Sequence, residues 1–102
     1  MGSYLLHGKF TAKPNHRDDL AKILIEASGL ISYAPGCRLY LISQDDSDPD
    51  SVYVSEWWDS KDDHDKSLKI DGVMDLIMKG LSFFAGKPEK GQELTVLGGK
   101  LI

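Results

Sequence analysis

Val52 to Leu68 reads V-Y-V-S-E-W-W-D-S-K-D-D-H-D-K-S-L, and the way this stretch folds decides how the whole chain is built. Its first half alternates as a strand requires: Val54, Glu56 and Trp58 share one face, while Tyr53, Ser55 and Trp57 share the other. Its second half opens a polar helix, with Asp59 or Ser60 as N-cap and His64 inside the first two turns. The tryptophans at 57 and 58 therefore point to opposite sides of a sheet, one toward helices and one toward an uncovered face. A carboxylate, two indoles and an imidazole converge near one strand-to-helix junction, and little else in the chain offers comparable chemistry.

Upstream, Tyr4 to Lys13 also alternates, with Tyr4, Leu6, Gly8, Phe10 and Ala12 on one face and Leu5, His7, Lys9 and Thr11 on the other. Pro14-Asn15 breaks this strand and offers Asn15 as the N-cap of a helix whose apolar positions are Leu20, Ile23, Leu24, Ala27 and Ile31. Asp18 and Asp19 suit the positive end of its dipole. Pro35-Gly36 punctuates, Cys37 to Gln44 resumes a strand pattern, and the polar Asp45 to Ser51 segment makes a hairpin connection into Val52.

Downstream, a short helix runs from about Ser60 to Lys69, and Asp71-Gly72 interrupts it. Val73, Leu76, Ile77, Gly80, Leu81 and Phe84 then mark the apolar stripe of a longer helix from Val73 to Phe84, ended by Gly86, Pro88 and Gly91. Gln92 to Leu97 is a last strand, followed by Gly98-Gly99 and an apolar tail, Lys100-Leu101-Ile102. The order strand, helix, strand, strand, helix pair, strand predicts an α+β fold. It is the ferredoxin-like split βαβ arrangement, with a four-stranded antiparallel sheet and helices on one face only. The other face then needs cover, and a second copy of the chain supplies it, so a homodimer is expected.

The 102 residues form one domain, spanning 1–102, able to bury roughly 65% of the unfolded surface. An apolar fraction of 41% and a charged fraction of 27% describe an ordinary soluble globular chain and argue against disorder or a membrane-spanning segment. The net charge of −4, with Lys and Arg scattered, excludes the concentrated basic face that nucleic acid requires. Cys37 is the sole cysteine, so no disulfide can form within the chain and a reducing, cytoplasmic setting is expected, with Cys37 packed in a strand. Met1-Gly2-Ser3 leads straight into the first strand without the basic and apolar regions of a secretory signal.

Glu56, in mid-strand among valines and tryptophans, loses solvation if buried and must then be paired or hold a raised pKa, which would make it a candidate base. The plainer alternative is a salt bridge to Arg38 or a lysine. His64 and Leu68 share a helix face that looks inward, placing a group able to shuttle a proton near neutral pH beside the sheet. An ordinary surface histidine remains the alternative. Ser67 could bond His64 or a ligand. Asp46, Asp48 and Asp50 imitate the start of a calcium loop, but Ser51 stands where its glycine belongs and Trp57 where its glutamate belongs. The histidines and Cys37 show no zinc spacing, and no dinucleotide, P-loop or nucleophile-elbow motif is present.

The block E-x-W-[DE]-S-K-x-x-H-x-x-S-L falls on Glu56, Trp58, Asp59, Ser60, Lys61, His64, Ser67 and Leu68. Together with the helix Val73 to Phe84 and the terminal E-L-T-V-L-G-G-K-L, it resembles the antibiotic biosynthesis monooxygenase family, most closely the quinol monooxygenase branch. The resemblance covers nearly the whole chain. It implies a dimeric α+β barrel in which two ferredoxin-like protomers pack their sheets together and exchange contacts through C-terminal segments, each keeping a pocket between sheet and helices. It also implies oxygenation of quinols, phenols or related aromatics by molecular oxygen without flavin, haem or metal. The enzyme deprotonates an electron-rich phenol, and the carbanion-like anion reduces oxygen directly.

Such a site needs a base, an apolar wall and exclusion of water. His64 or Glu56 is then the base or hydrogen-bond partner and Trp58 the aromatic wall, with Met74, Met78, Phe83 and Phe84 as further lining. A haem-degrading branch of similar fold uses an asparagine on the first strand, a tryptophan ending the third and a histidine on the long helix. Trp58 matches, but Gly8 stands at the asparagine's place and Ile77 near the histidine's, so no proximal haem ligand is offered there. The rival from another class is a non-catalytic dimeric barrel that binds a small apolar molecule or acts in stress response. Burial of Glu56 and His64 in one pocket near Trp58 favours the enzyme, and salt bridges at the surface favour the rival.

Overall fold

The computed structural model describes residues 3–87 and 89–100, so Pro88 as a helix breaker and the apolar Leu101-Ile102 tail lie outside the described residues. Seven elements follow one another: β1 (Ser3–Thr11), α1 (Arg17–Ile31), β2 (Cys37–Ser43), β3 (Ser51–Trp58), α2 (Lys61–Ser67), α3 (Val73–Leu81) and β4 (Gln92–Val96). The strands form one antiparallel sheet in the order β2-β3-β1-β4, the ferredoxin-like α+β fold expected. α1 packs on α3 and across β2 and β3, and α2 lies against β3. Among the described residues no helix is long and apolar enough to cross a membrane.

Alternation places the side chains. Across the sheet, Tyr40, Glu56, Leu6 and Glu93 form one row facing the helices, and Leu39, Trp57, Leu5 and Leu94 form the next row on the open face. A bulge between Cys37 and Leu39 absorbs Arg38, so that Cys37 opposes Trp58 and packs with the core rather than on the open face. On the helix side two apolar clusters form. One joins Ala27, Ile31, Ala34, Trp58 and Val73, and the other joins Ala12, Leu20 and Val52.

Three boundaries differ from the sequence reading. Asn15 does not cap α1: it takes a left-handed conformation at φ 70° to turn the chain, which asparagine tolerates, and His16 occupies the N-cap position. α2 ends at Ser67, short of the expected Lys69, and of its two expected caps Ser60 is the one used, its Oγ accepting from Asp63 N at 3.1 Å. α3 ends at Leu81 rather than Phe84, because the chain must turn there for Phe84 to bridge Ala12. The preceding Pro35-Gly36 turn is built on Gly36 at φ 85°, whose carbonyl accepts from Asp59 N at 2.9 Å and where any side chain would run into Asp63. It ties the end of α1 to the junction that carries the candidate site.

Candidate functional site

A cavity of about 240 Å³ lies between the helix side of the sheet and α1, α2 and α3, bordered by members of both apolar clusters. Leu6 and Phe10 of β1, Leu20, Ile23 and Leu24 of α1, and Leu76, Ile77 and Gly80 of α3 supply most of its wall. Leu20 and Ile23 of α1 lie beside Gly80, at ordinary contact distance from where a β-carbon would stand. Three polar side chains break this apolar lining, Tyr40, Glu56 and His64, and they come from three different elements.

Glu56 is 8% exposed, placed on the helix side by the alternation of β3. Trp58, two residues on and on the same side, donates its Nε1–H to Glu56 Oε1 at 3.1 Å. Burial pushes the Glu56 carboxyl above the ordinary carboxylate range, opposed by the charge of His64 and by the Trp58 hydrogen bond. Glu56 has no ion pair with Arg38, which the bulge sends outward to pair with Asp59 and to lie 5.2 Å over the Trp57 ring.

His64 projects inward from a seven-residue helix that would be marginal alone and is held by packing. Its ring lies against Tyr4, with centroids 5.6 Å apart, and meets the Trp58 ring edge-on at 5.9 Å. Nδ1 is 2.9 Å from Asp65 Oδ1, and Nε2 is 3.7 Å from Glu56 Oε1, within ion-pair range but too long for a direct hydrogen bond. With Nδ1 paired to Asp65, Nε2 is the ring nitrogen turned toward the buried carboxyl. That arrangement can take up a proton inside an apolar space.

The remaining expected site residues are spread more widely. Phe84 lines the cavity, its ring tilted against that of Phe10 with centroids 5.3 Å apart. Phe83 instead packs on His16, at 5.3 Å. Trp58 is fully buried and stands behind Glu56 as its hydrogen-bond donor rather than on the cavity wall. Ser67 is buried as well, but its Oγ donates to the His64 carbonyl at 2.6 Å, a bond within the helix. Met74 and Met78 point away from the cavity and are 56% and 63% exposed, because the stripe Val73, Leu76, Ile77 and Gly80 turns the opposite face of α3 inward.

Sequence alone does not single out Tyr40 or Asp65. Tyr40 would have followed from alternation along β2, had the bulge at Arg38 been legible, and Asp65 from a carboxylate standing next to a histidine. Among the described residues no group of three or more His, Cys, Asp or Glu side chains is arranged to hold a metal ion.

Comparison with known proteins bears on this geometry. A protein of Chloroflexus aurantiacus described as a "putative Antibiotic biosynthesis monooxygenase" is 38% identical, with 98% of each chain covered and a TM-score of 0.86. Two further solved structures described in the same words share the fold. The one from Nitrosomonas europaea has a TM-score of 0.88 at 15% identity, covering 95% of this chain and 93% of its own. The one from Deinococcus radiodurans has a TM-score of 0.73 at 24% identity, covering 97% and 95%. No curated protein matches the chain. A sequence profile described as "Antibiotic biosynthesis monooxygenase" matches residues 3–74, the span that carries Tyr40, Glu56, Trp58 and His64 from β1 into the start of α3, and the chain belongs to that family.

Proposed function

We propose that the protein is a cofactor-independent monooxygenase that oxidises a quinol, phenol or related aromatic with molecular oxygen inside this cavity. The observation that carries the reading is the meeting of an imidazole and a buried carboxyl in a largely apolar cavity. A solvated ion pair would not need that chamber, and a purely structural cavity would not need the two titratable groups. His64 Nε2 takes the proton of a substrate hydroxyl, and the electron pair stays on the substrate oxygen. Glu56, held by Trp58, stabilises the imidazolium that results. The apolar wall keeps water from the anion, which delivers electrons to oxygen. For a quinol the balance is one quinol and one O₂ giving one hydroxyquinone and one water, so the substrate supplies every electron.

The open face of the sheet supports a second part of the reading. Leu5, Leu39, Trp57 and Leu94 form one apolar row across all four strands, with Leu94 45% exposed, and Leu41, two residues beyond Leu39 on β2, is 54% exposed. A row of this kind is covered when two copies pack sheet to sheet, and we infer a homodimer.

Oxygen uptake measured with a panel of hydroquinones and anthrones tests the activity. Turnover by the wild type is expected, with kcat/KM lowered about 10²- to 10⁴-fold in His64→Ala and less in Glu56→Gln. Absence of uptake across the panel would sink the oxygenase reading and leave the rival, a barrel that binds a small apolar molecule.

A further inference from the structure

Tyr40 is the third polar group of the cavity, and nothing in the chemistry above uses it. It stands directly opposite Glu56 in the β2–β3 pairing, on the same side of the sheet, so the two side chains leave neighbouring positions and reach the same space. A buried tyrosine ordinarily gives its hydroxyl a protein partner. Here the Tyr40 ring packs with the Ala27, Ile31 and Trp58 cluster, yet its hydroxyl has no hydrogen bond to any of the described residues. Nor is it sealed off. Among the described residues Ser51 Oγ is the only side-chain polar atom both occluded and unpartnered, so the Tyr40 hydroxyl has open space before it, and the space that Tyr40 borders is the cavity.

Building on the oxygenase reading, we propose that Tyr40 donates a hydrogen bond to the substrate hydroxyl oxygen as that oxygen gives its proton to the base, fixing an aromatic alcohol in the cavity. The bond broken is the substrate O–H, the bond formed is N–H at His64 Nε2, and the negative charge left on oxygen is met by the phenol O–H. A phenol is suited to this because it stays a donor: burial, reinforced by the neighbouring Glu56, pushes its pKa far up. Apart from Tyr40, His64 and the Glu56 carboxyl, the lining is hydrocarbon or aromatic, such as Leu6, Phe10 and Ile77, and gives no polar contact. Ligand recognition then reduces to a flat apolar body with one oxygen placed between Tyr40 and His64.

A matched pair of probes separates this role from mere packing. 1-Naphthol and 1-methylnaphthalene have nearly the same shape and differ in the hydroxyl. Binding of both is measured by titration calorimetry to the full chain, wild type and Tyr40→Phe. Tyr40→Phe is expected to weaken 1-naphthol about tenfold and to leave 1-methylnaphthalene within about twofold. An unchanged preference for 1-naphthol in Tyr40→Phe overturns the assignment. So does an equal loss of both probes, or no measurable binding of 1-naphthol by the wild type. Oxygen uptake is scored separately. A wild type that oxidises no quinol but loses its naphthol preference in Tyr40→Phe keeps the hydroxyl-reading role and rejects the oxygenase reading. Turnover with an unchanged preference rejects Tyr40 alone.

Discussion

Trp57 and Trp58 are adjacent in the chain, identical in chemistry, and placed in environments that share almost nothing. Trp58 is wholly buried, its indole N–H spent on a buried carboxyl and its ring edge against the His64 imidazole. Trp57 is half-buried on the open face, its Nε1–H donated to Ser3 Oγ at 2.6 Å and its ring covered by the Arg38 guanidinium. The pleat alone separates them, and every strand repeats the division. On one side the row Tyr40, Glu56, Leu6 meets helices and borders a cavity, and on the other the row Leu39, Trp57, Leu5, Leu94 is apolar and has no helix of the described residues over it. One four-stranded sheet thus has a face that carries the proposed chemistry and a face that carries the proposed assembly, and substitutions should sort by face rather than by sequence position.

The sharpest break is expected at Trp58→Ala. It empties a fully buried indole and removes the donor on Glu56, so a loss of about 3–5 kcal/mol is expected in urea unfolding. Trp57→Asp should spare the fold of the protomer and weaken self-association about 30-fold or more, read by sedimentation equilibrium. An unchanged association constant would show that the open face is not where copies meet.

Glu56→Gln probes the buried carboxyl through pH. Burial raises its folded pKa, so the preference for the neutral form stabilises the fold fully below the unfolded glutamate value of about 4.3. That contribution is lost as pH rises through the folded value. The always-neutral glutamine should therefore gain stability over wild type as pH rises from about 4 to 8. A difference that is flat with pH would contradict a raised pKa. The smallest effect is expected at Met78→Ser, on the outward side of α3, where stability should stay within about 0.5 kcal/mol and oxygen uptake should not move.

Much of this was readable in advance, and for a definite reason. Alternation through Val52–Trp58 assigns the two tryptophans and Glu56 to their faces because the strand period admits only two choices. His64 follows from sharing a helix face with Leu68, and both do border the cavity. Helix positions are less forgiving. Met74 and Met78 lie only one step from the inward stripe of α3, and a rotation of about 100° per residue carries them from lining to solvent. Tyr40 escaped notice because the bulge at Arg38 sets which residues of β2 face the helices, and a single extra residue leaves no clear periodic trace.

By itself the sequence determined the order of elements, the ferredoxin-like layout, the opposite fates of Trp57 and Trp58, and the family block around Glu56 and His64. Those are local or periodic properties, set by pleat, helix period, caps and breakers along the chain. Only the tertiary structure decided that Tyr40, Glu56 and His64 border one cavity, that Trp58 donates to Glu56 from behind its wall, and that Met74 and Met78 do not line it. Strand register, the packing of α1 on α3 and the docking of α2 are contacts between distant segments, and they are fixed by packing that no local pattern encodes.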